Sequence, residues 1–124
     1  LHAVTQTLSA FPDLRTAFLF GSQALGVARQ DSDVDIAVLA NHPLTLEQRV
    51  SIVESVAFVT GCPVDLVDLF EAPEPVLGEA LKGIRLLGDS STVAELITRH
   101  VINVADFLPL RERILAERRV SWTS

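Results

Sequence analysis

The most constraining feature of the sequence is the stretch Phe18–Leu39, in which two short apolar runs flank a polar segment. The first run ends at Gly21 and Ser22, ten residues follow, and the second run opens with Asp33 and Asp35. Residues two apart in a strand lie on the same face, so both carboxylates point the same way. The sequence therefore predicts a strand that carries an acidic pair beside a glycine turn.

An acidic pair of this kind needs a partner of opposite charge. Two like charges about 4 Å apart repel by roughly 4 kcal/mol at an effective dielectric constant of about 20, unless a cation or a proton neutralises them. Carboxylate oxygens suit Mg²⁺ or Mn²⁺, which complete their coordination with water and substrate phosphates. Gly21 allows a tight turn, and the Ser22 hydroxyl and the amides after it can bind phosphate oxygens. The alternative is an ordinary Gly-Ser turn with Asp33 and Asp35 as solubilising residues at a strand end.

A third aspartate comes from the run V-D-L-V-D-L-F at residues 64–70. Asp65 and Asp68 are three apart, so in a regular strand they point to opposite faces and only one can join the acidic pair. We favour Asp65, because it lies early in the strand, where an unpaired buried acid would be costly, whereas Asp68 lies near the strand end. The alternative is that both aspartates flank a loop.

Length and composition narrow the class of protein. A chain of 124 residues predicts one domain with a modest core. Its net charge of −6 argues against stable direct binding of nucleic acid. The single cysteine, Cys62, excludes an internal disulfide, and we predict that Cys62 itself is a small buried residue. No apolar run reaches the ~18 residues of a membrane span and no signal-peptide pattern opens the chain, so we expect a cytoplasmic protein without membrane contact.

The apolar spacing predicts helices around a small mixed sheet of three to four strands, an α+β fold. The predicted strands are residues 16–20, 34–39, 64–69 and, at an edge, 85–87. A first helix is predicted with Val4, Leu8 and Phe11, and a short helical turn at residues 22–27. A longer helix is predicted from the Thr45 capping box to Val59, with Leu46, Val50, Val53 and Ala57 on one face. Another helix is predicted with Leu77, Ala80, Leu81 and Ile84, and a last one starts at Thr92 and is kinked by Pro109.

The joint pattern of Gly21, Ser22, Asp33, Asp35 and a strand aspartate at Asp65 resembles the signature of the DNA polymerase β-like nucleotidyltransferase superfamily. The length and the V-D-L-V-D-L strand resemble its minimal members, the antitoxins that accompany HEPN-domain ribonuclease toxins. The resemblance covers about residues 14–87. It implies a single minimal domain over residues 1–124, with a catalytic core at about 14–87 and a C-terminal helical segment at about 91–120.

This resemblance implies a protein adenylyltransferase. Asp33 and Asp35 would hold magnesium, two ions in all, and Asp65 would complete the metal site and act as general base. Gly21 and Ser22 would bind the triphosphate of ATP. AMP would pass to a tyrosine hydroxyl of the toxin, which forms a hetero-oligomer with the antitoxin. Many relatives carry a basic residue after Gly-Ser, whereas this chain has Gln23, which leaves Arg29 as the nearby cation for the phosphates.

Two features of the sequence bear on the partner. The chain contains no tyrosine, so a tyrosine acceptor has to come from another chain. Residues 110–124 carry four arginines and two glutamates, together with Ile114, Leu115, Val120 and Trp122. Tryptophan and arginine are frequent interface anchors, so this end predicts contact with a partner, the alternative being a solvated helix end. The last helix has an apolar stripe, for which core burial is the default expectation.

Two other functions remain open from the sequence. The chain could be an antitoxin that masks its toxin by binding alone, without catalysis. It could also transfer nucleotides to a small molecule, as aminoglycoside-modifying enzymes do, although 124 residues leave little room for a substrate domain.

Overall fold

The structure is a computed structural model that describes residues 2–21 and 33–105. The elements are α1 (His2–Ser9), β1 (Leu14–Phe20), β2 (Val34–Ala40), α2 (Leu46–Thr60), β3 (Val64–Asp68), α3 (Val76–Leu81) and β4 (Ile84–Leu87). Residues 90–105 form a further helix, α4, up to the end of the described part. No helix within the described residues is long and apolar enough to cross a membrane.

The four strands form one mixed sheet in the order β3-β2-β1-β4. The central strand β1 pairs antiparallel with β2 and β4, whereas β2 and β3 are parallel and α2 makes the crossover between them. The predicted α+β fold, with helices around a small mixed sheet, is therefore confirmed. Strand β4 lies at an edge, as the sequence predicts for residues 85–87.

The sheet separates two apolar clusters. On one face α1 and α2 pack against the sheet, and this cluster includes Leu8, Ile36, Val38, Ile52 and Val56. On the other face α3 and α4 pack, and this cluster includes Phe18, Ala37, Leu39, Leu77 and Leu96. Successive residues of β2 alternate between the two clusters, which explains why its apolar run is nearly continuous.

Helix α2 begins and ends where the sequence predicts, but it buries a different face. The Thr45 hydroxyl accepts a hydrogen bond from the Gln48 N–H at 3.1 Å, and the Gln48 carbonyl oxygen accepts one from the Thr45 N–H at 3.0 Å. The buried residues are Ile52 and Val56. The prediction that the face with Leu46 packs on the core is wrong, because Leu46 is 77% exposed. Apolar residues surround most of this helix, so their spacing does not single out the core side.

The other members of the face predicted for α2 do not form its core either. Val50 is exposed, and Val53 and Ala57 are only half-buried.

The start and the buried face of α4 also differ from expectation. Asp89, and not Thr92, caps the helix, since its carboxylate accepts a hydrogen bond from the Thr92 N–H at 2.7 Å. Of the predicted apolar stripe, Leu96 is buried and Val93 is half-buried. Ile97, Val101 and Val104 are 47%, 56% and 41% exposed. Within the part of the chain that the structure describes, helix α4 therefore presents an uncovered apolar face, which also includes Ile102.

Smaller corrections concern three residues. Helix α1 ends at Ser9, so Phe11 packs on the core from the turn that follows. Ile84 belongs to β4 and not to α3. Cys62 is half-buried and not fully buried. The turn predicted at residues 22–27, the Pro109 kink and the arginine-rich end lie outside the described residues.

Candidate functional site

The acidic residues meet at one end of the sheet. Strand pairing places Asp35 opposite Phe20 of β1 and opposite Asp65 of β3. Neighbouring strands lie about 4.8 Å apart, and directly paired residues share a face. Asp35 and Asp65 therefore stand side by side on the face that α3 and α4 cover, and Asp33 lies two residues before Asp35 at the start of β2.

The carboxylates act on one another electrostatically. The pKa of Asp35 is raised, first by burial and then by the negative charges of Asp65 and Asp33. Within residues 2–21 and 33–105, no cation is among the causes of this shift. Asp33 and Asp65 are exposed, whereas Asp35 is half-buried. The cluster thus concentrates negative charge at a position that solvent and a ligand can reach.

Gly21 brings the backbone against this cluster. Its φ is +73°, a left-handed conformation, and a Cβ at this position would lie 2.1 Å from Oδ2 of Asp35. Any side chain here would therefore be strained and would displace the Asp35 carboxylate. The turn after β1 and the acidic cluster are thus in direct contact. Ser22 and Arg29 lie outside the described residues.

Asp68 lies on the opposite face and has a different environment. Its carboxylate accepts hydrogen bonds from the Leu44 N–H and the Phe70 N–H, both at 2.9 Å. It joins the loop before α2 to the turn after β3. The structure places Asp65, and not Asp68, beside Asp35. Strand register, and not the burial of Asp65, is the physical reason, because Asp65 is exposed.

The donor set fits a hard divalent cation that keeps part of its shell for other ligands. Within residues 2–21 and 33–105, no three His, Cys, Asp or Glu side chains are arranged to hold one metal ion together. Mg²⁺ commonly takes one or two carboxylates and fills its remaining positions with water and substrate phosphates. Asp35 and one neighbouring aspartate would provide two carboxylate ligands. A bound cation would also reduce the repulsion between these carboxylates.

Sequence reasoning missed the contacts that hold α4 over this face. His100 Nδ1 lies 2.8 Å from Glu74 Oε1, and the Asn103 amide donates to the same oxygen at 3.4 Å. The Arg99 guanidinium donates to the backbone carbonyls of Leu69 and Phe70. These partners are 26 to 30 positions apart, and no local pattern marks them.

The fold and the acidic site define the class of protein. The sequence profile of the family described as Polymerase beta, Nucleotidyltransferase matches residues 2–92. The chain belongs to this nucleotidyltransferase family.

Individual similar proteins have more specific names than the family has. Protein adenylyltransferase MntA of Shewanella oneidensis is 41% identical over 61 residues, which are 49% of this chain and 44% of that protein. The alignment thus spans less than half of the relative. A toxin–antitoxin crystal structure with AMP-PNP matches with a TM-score of 0.78 and 26% identity, over 93% of this chain and 94% of that chain. A mutant MntA-HpeT toxin–antitoxin structure matches with a TM-score of 0.78 and 25% identity, over 92% and 94%.

Proposed function

We propose that the protein is an antitoxin that transfers AMP from ATP to a tyrosine hydroxyl of a HEPN-family ribonuclease toxin. The observation that carries the proposal is the pairing of Asp35 with Asp65 in register, beside Gly21. Family membership supports nucleotidyl transfer. The protein adenylyltransferase relative and the similar toxin–antitoxin structure with AMP-PNP support the donor, the acceptor class and the partner.

Asp33 and Asp35 are the proposed ligands of magnesium, with Asp65 completing a site for two ions. Magnesium, when bound, supplies positive charge for the acidic cluster and for the phosphates of ATP. The raised pKa of Asp35 supports this assignment, since burial and the negative charges of Asp65 and Asp33 cause the shift. Gly21, Ser22 and Arg29 are the proposed phosphate-binding residues.

Asp65 is the proposed general base. It is exposed and lies at the start of the edge strand β3, where a hydroxyl group of a partner can approach it. The tyrosine oxygen forms a bond to the α-phosphorus of ATP, and the bond from that phosphorus to the bridging oxygen breaks. Pyrophosphate leaves with the bond's electron pair, and the proton of the hydroxyl passes to Asp65.

The uncovered face of α4 is the proposed docking surface for the toxin. It comprises Ile97, Val101, Ile102 and Val104, each between 41% and 56% exposed. Helix α4 packs on the same face of the sheet that carries Asp35 and Asp65, and its contacts with Arg15, Leu69 and Phe70 lie toward the other end of the strands. Because the chain has no tyrosine, the acceptor belongs to that partner.

The proposed catalytic core spans about residues 14–87, and the helical segment at about 91–120 serves the partner. We place the reaction in the cytoplasm, where ATP and a ribonuclease toxin are both present.

Masking of the toxin without catalysis is the second candidate, and the apolar face of α4 is the observation that favours it. Such a surface is sufficient to bind a partner whether or not AMP is transferred. The two candidates differ in what happens to the mass of the toxin.

The test is to incubate the protein with the toxin, ATP and magnesium, and then to determine the toxin mass by mass spectrometry. We expect a gain of AMP that is lost when Asp33→Asn and Asp35→Asn are combined. Asp65→Asn should also lose the transfer, whereas Asp68→Asn should keep most of it, because Asp68 lies on the other face. Neutralisation of the toxin without any gain of mass would reject catalysis in favour of masking.

A further inference from the structure

The cationic side chains within residues 2–21 and 33–105 differ in their surroundings. Arg15 is paired with Glu95 at 2.8 Å, and Arg99 donates to backbone carbonyls. Arg49 belongs to α2, on the face of the sheet opposite Asp35. Arg85 lies on β4 opposite Phe18 in the strand register, and Phe18 is two residues before the end of β1. Within residues 2–21 and 33–105, this leaves Lys82 as the cation at the junction of α3 and β4.

This junction packs directly against the end of β1. A Cβ added at Gly83 would lie 2.2 Å from the carbonyl oxygen of Leu19 and 2.9 Å from the Cβ of Phe20. Strand pairing gives the same neighbourhood, since Leu19 is opposite Ile84. Phe20 is followed by Gly21, whose backbone contacts the Asp35 carboxylate. Lys82 therefore emerges beside the turn that leads into the proposed phosphate site.

The Lys82 side chain is exposed, and one exposed ion pair is its contact here. Its side chain is 75% exposed, and its Nζ lies 3.6 Å from Glu79 Oε1, which is itself largely exposed. An exposed pair of this kind holds its partners weakly, because solvent screens the attraction. A lysine ammonium on a flexible four-carbon stem suits a phosphate oxygen that arrives with the substrate.

We propose that Lys82 binds the outer phosphates of ATP and so supplies positive charge that Gln23 does not. This inference rests on the proposed function. Lys82 enters the site from the junction after α3, and its Nζ moves from Glu79 to the β- or γ-phosphate when the nucleotide binds. It is a binding residue for the donor, and it takes no proton in the transfer.

Calorimetric titration of the full chain with ATP and with AMP, both with magnesium, tests the assignment. We expect Lys82→Met to weaken ATP binding about tenfold, as loss of one charge-assisted hydrogen bond does, and to leave AMP binding within about twofold. Lys82→Arg should keep the affinity for ATP. Glu79→Gln is the matched control, since it removes the present partner of Lys82 and should bind ATP at least as well as the unchanged protein.

The outcomes separate this inference from the proposed function. Unchanged ATP affinity in Lys82→Met, or equal weakening of ATP and AMP, would overturn the role of Lys82 and leave the proposed function standing. Failure of the unchanged protein to bind ATP would overturn both. Circular dichroism and thermal unfolding show whether Lys82→Met is folded. We expect both to match the unchanged protein, because a side chain this exposed contributes little to stability.

Discussion

At the scale of single residues, two glycines form a matched pair. Gly21 and Gly61 have almost the same backbone conformation, with φ of +73° and +68°. They differ in surroundings, because a Cβ at Gly21 would collide with Asp35, whereas one at Gly61 would meet nothing within 4 Å. The pair separates backbone strain from damage to the site.

We therefore expect Gly61→Ala to lower the free energy of unfolding by about 1–2 kcal/mol from the left-handed backbone, and Gly21→Ala to lower it by at least as much, because its methyl group also collides with Asp35. Only Gly21→Ala should also abolish AMP transfer, because the added methyl group displaces the Asp35 carboxylate. Urea unfolding and mass spectrometry of the toxin measure the two effects. Full transfer by Gly21→Ala would show that the position of Asp35 does not matter.

The charge on Asp35 gives the protein a specific dependence on pH. Because its pKa is raised above 3.8, Asp35 binds a proton more tightly in the folded than in the unfolded state. The ionised carboxylate therefore destabilises the metal-free fold at neutral pH. This cost decreases as the pH falls through the raised pKa, and it is absent below the unfolded value.

Asp35→Asn should accordingly increase the free energy of unfolding at pH 7 without magnesium, by a modest amount because the group is only half-buried. The gain should shrink as the pH approaches the ordinary pKa of an aspartate. Glu54→Gln, an exposed acid on α2, is the control and should change stability by less than about 0.5 kcal/mol. A gain that is independent of pH would contradict the electrostatic explanation. Urea titrations across pH provide the measurement.

At the scale of elements, α4 is held to α3 through one carboxylate. Glu74 accepts hydrogen bonds from the Gly78 N–H and the Asn103 amide and contacts the His100 ring. The hydrogen bond from His100 is the largest of the causes that lower the Glu74 pKa. This contribution to stability is therefore present above the unfolded pKa of Glu74 and is lost as the pH falls through its lowered folded value.

Glu74→Gln should loosen α4 while leaving the sheet intact, because it removes the charge that binds the His100 ring. Hydrogen exchange should become faster in residues 90–105 and remain unchanged in β1 and β2. Glu79→Gln is the control, since Glu79 lies on α3, shortly after Glu74, and its ion pair is with Lys82. Equal acceleration in α4 and β2 would show that Glu74 stabilises the whole fold and not this attachment alone.

The elements also show which features local sequence can predict. The capping box of α2 involves only Thr45 and Gln48, three residues apart, so the sequence contains the whole interaction. The buried face of α2 depends on the position of the sheet, and the spacing of apolar residues predicted the wrong one. Pairing of Asp65 with Asp35 depends on register across 30 positions, and the sequence analysis favoured Asp65 over Asp68 on an argument from burial that does not hold, because Asp65 is exposed.

At the scale of the whole molecule, the two sides of the sheet have different tasks. One side forms a closed core between the sheet, α1 and α2. The other carries the acidic site and, beyond it, the uncovered apolar face of α4. The proposed docking surface and the proposed chemistry therefore belong to one side of the protein.

We expect Val101→Asp to weaken the complex with the toxin by at least tenfold, because a charge would be desolvated in the interface. Phe58→Asp is the control, since Phe58 is 89% exposed on α2, on the other side of the sheet. It should leave the affinity unchanged. Analytical ultracentrifugation or surface plasmon resonance measures the affinity. Normal binding by Val101→Asp would place the toxin elsewhere.

The parallel register of β2 and β3 has a consequence for tolerance of inserted residues. Asp65 reaches Asp35 only because its strand position has the right parity, and one residue added within β3 ahead of Asp65 would turn it to the α2 side. The same insertion in the exposed turn at Gly61 leaves the strand free to keep its pairing. Single-codon insertions in the turn at residues 61–63 should therefore keep AMP transfer, whereas one between Val64 and Asp65 should abolish it.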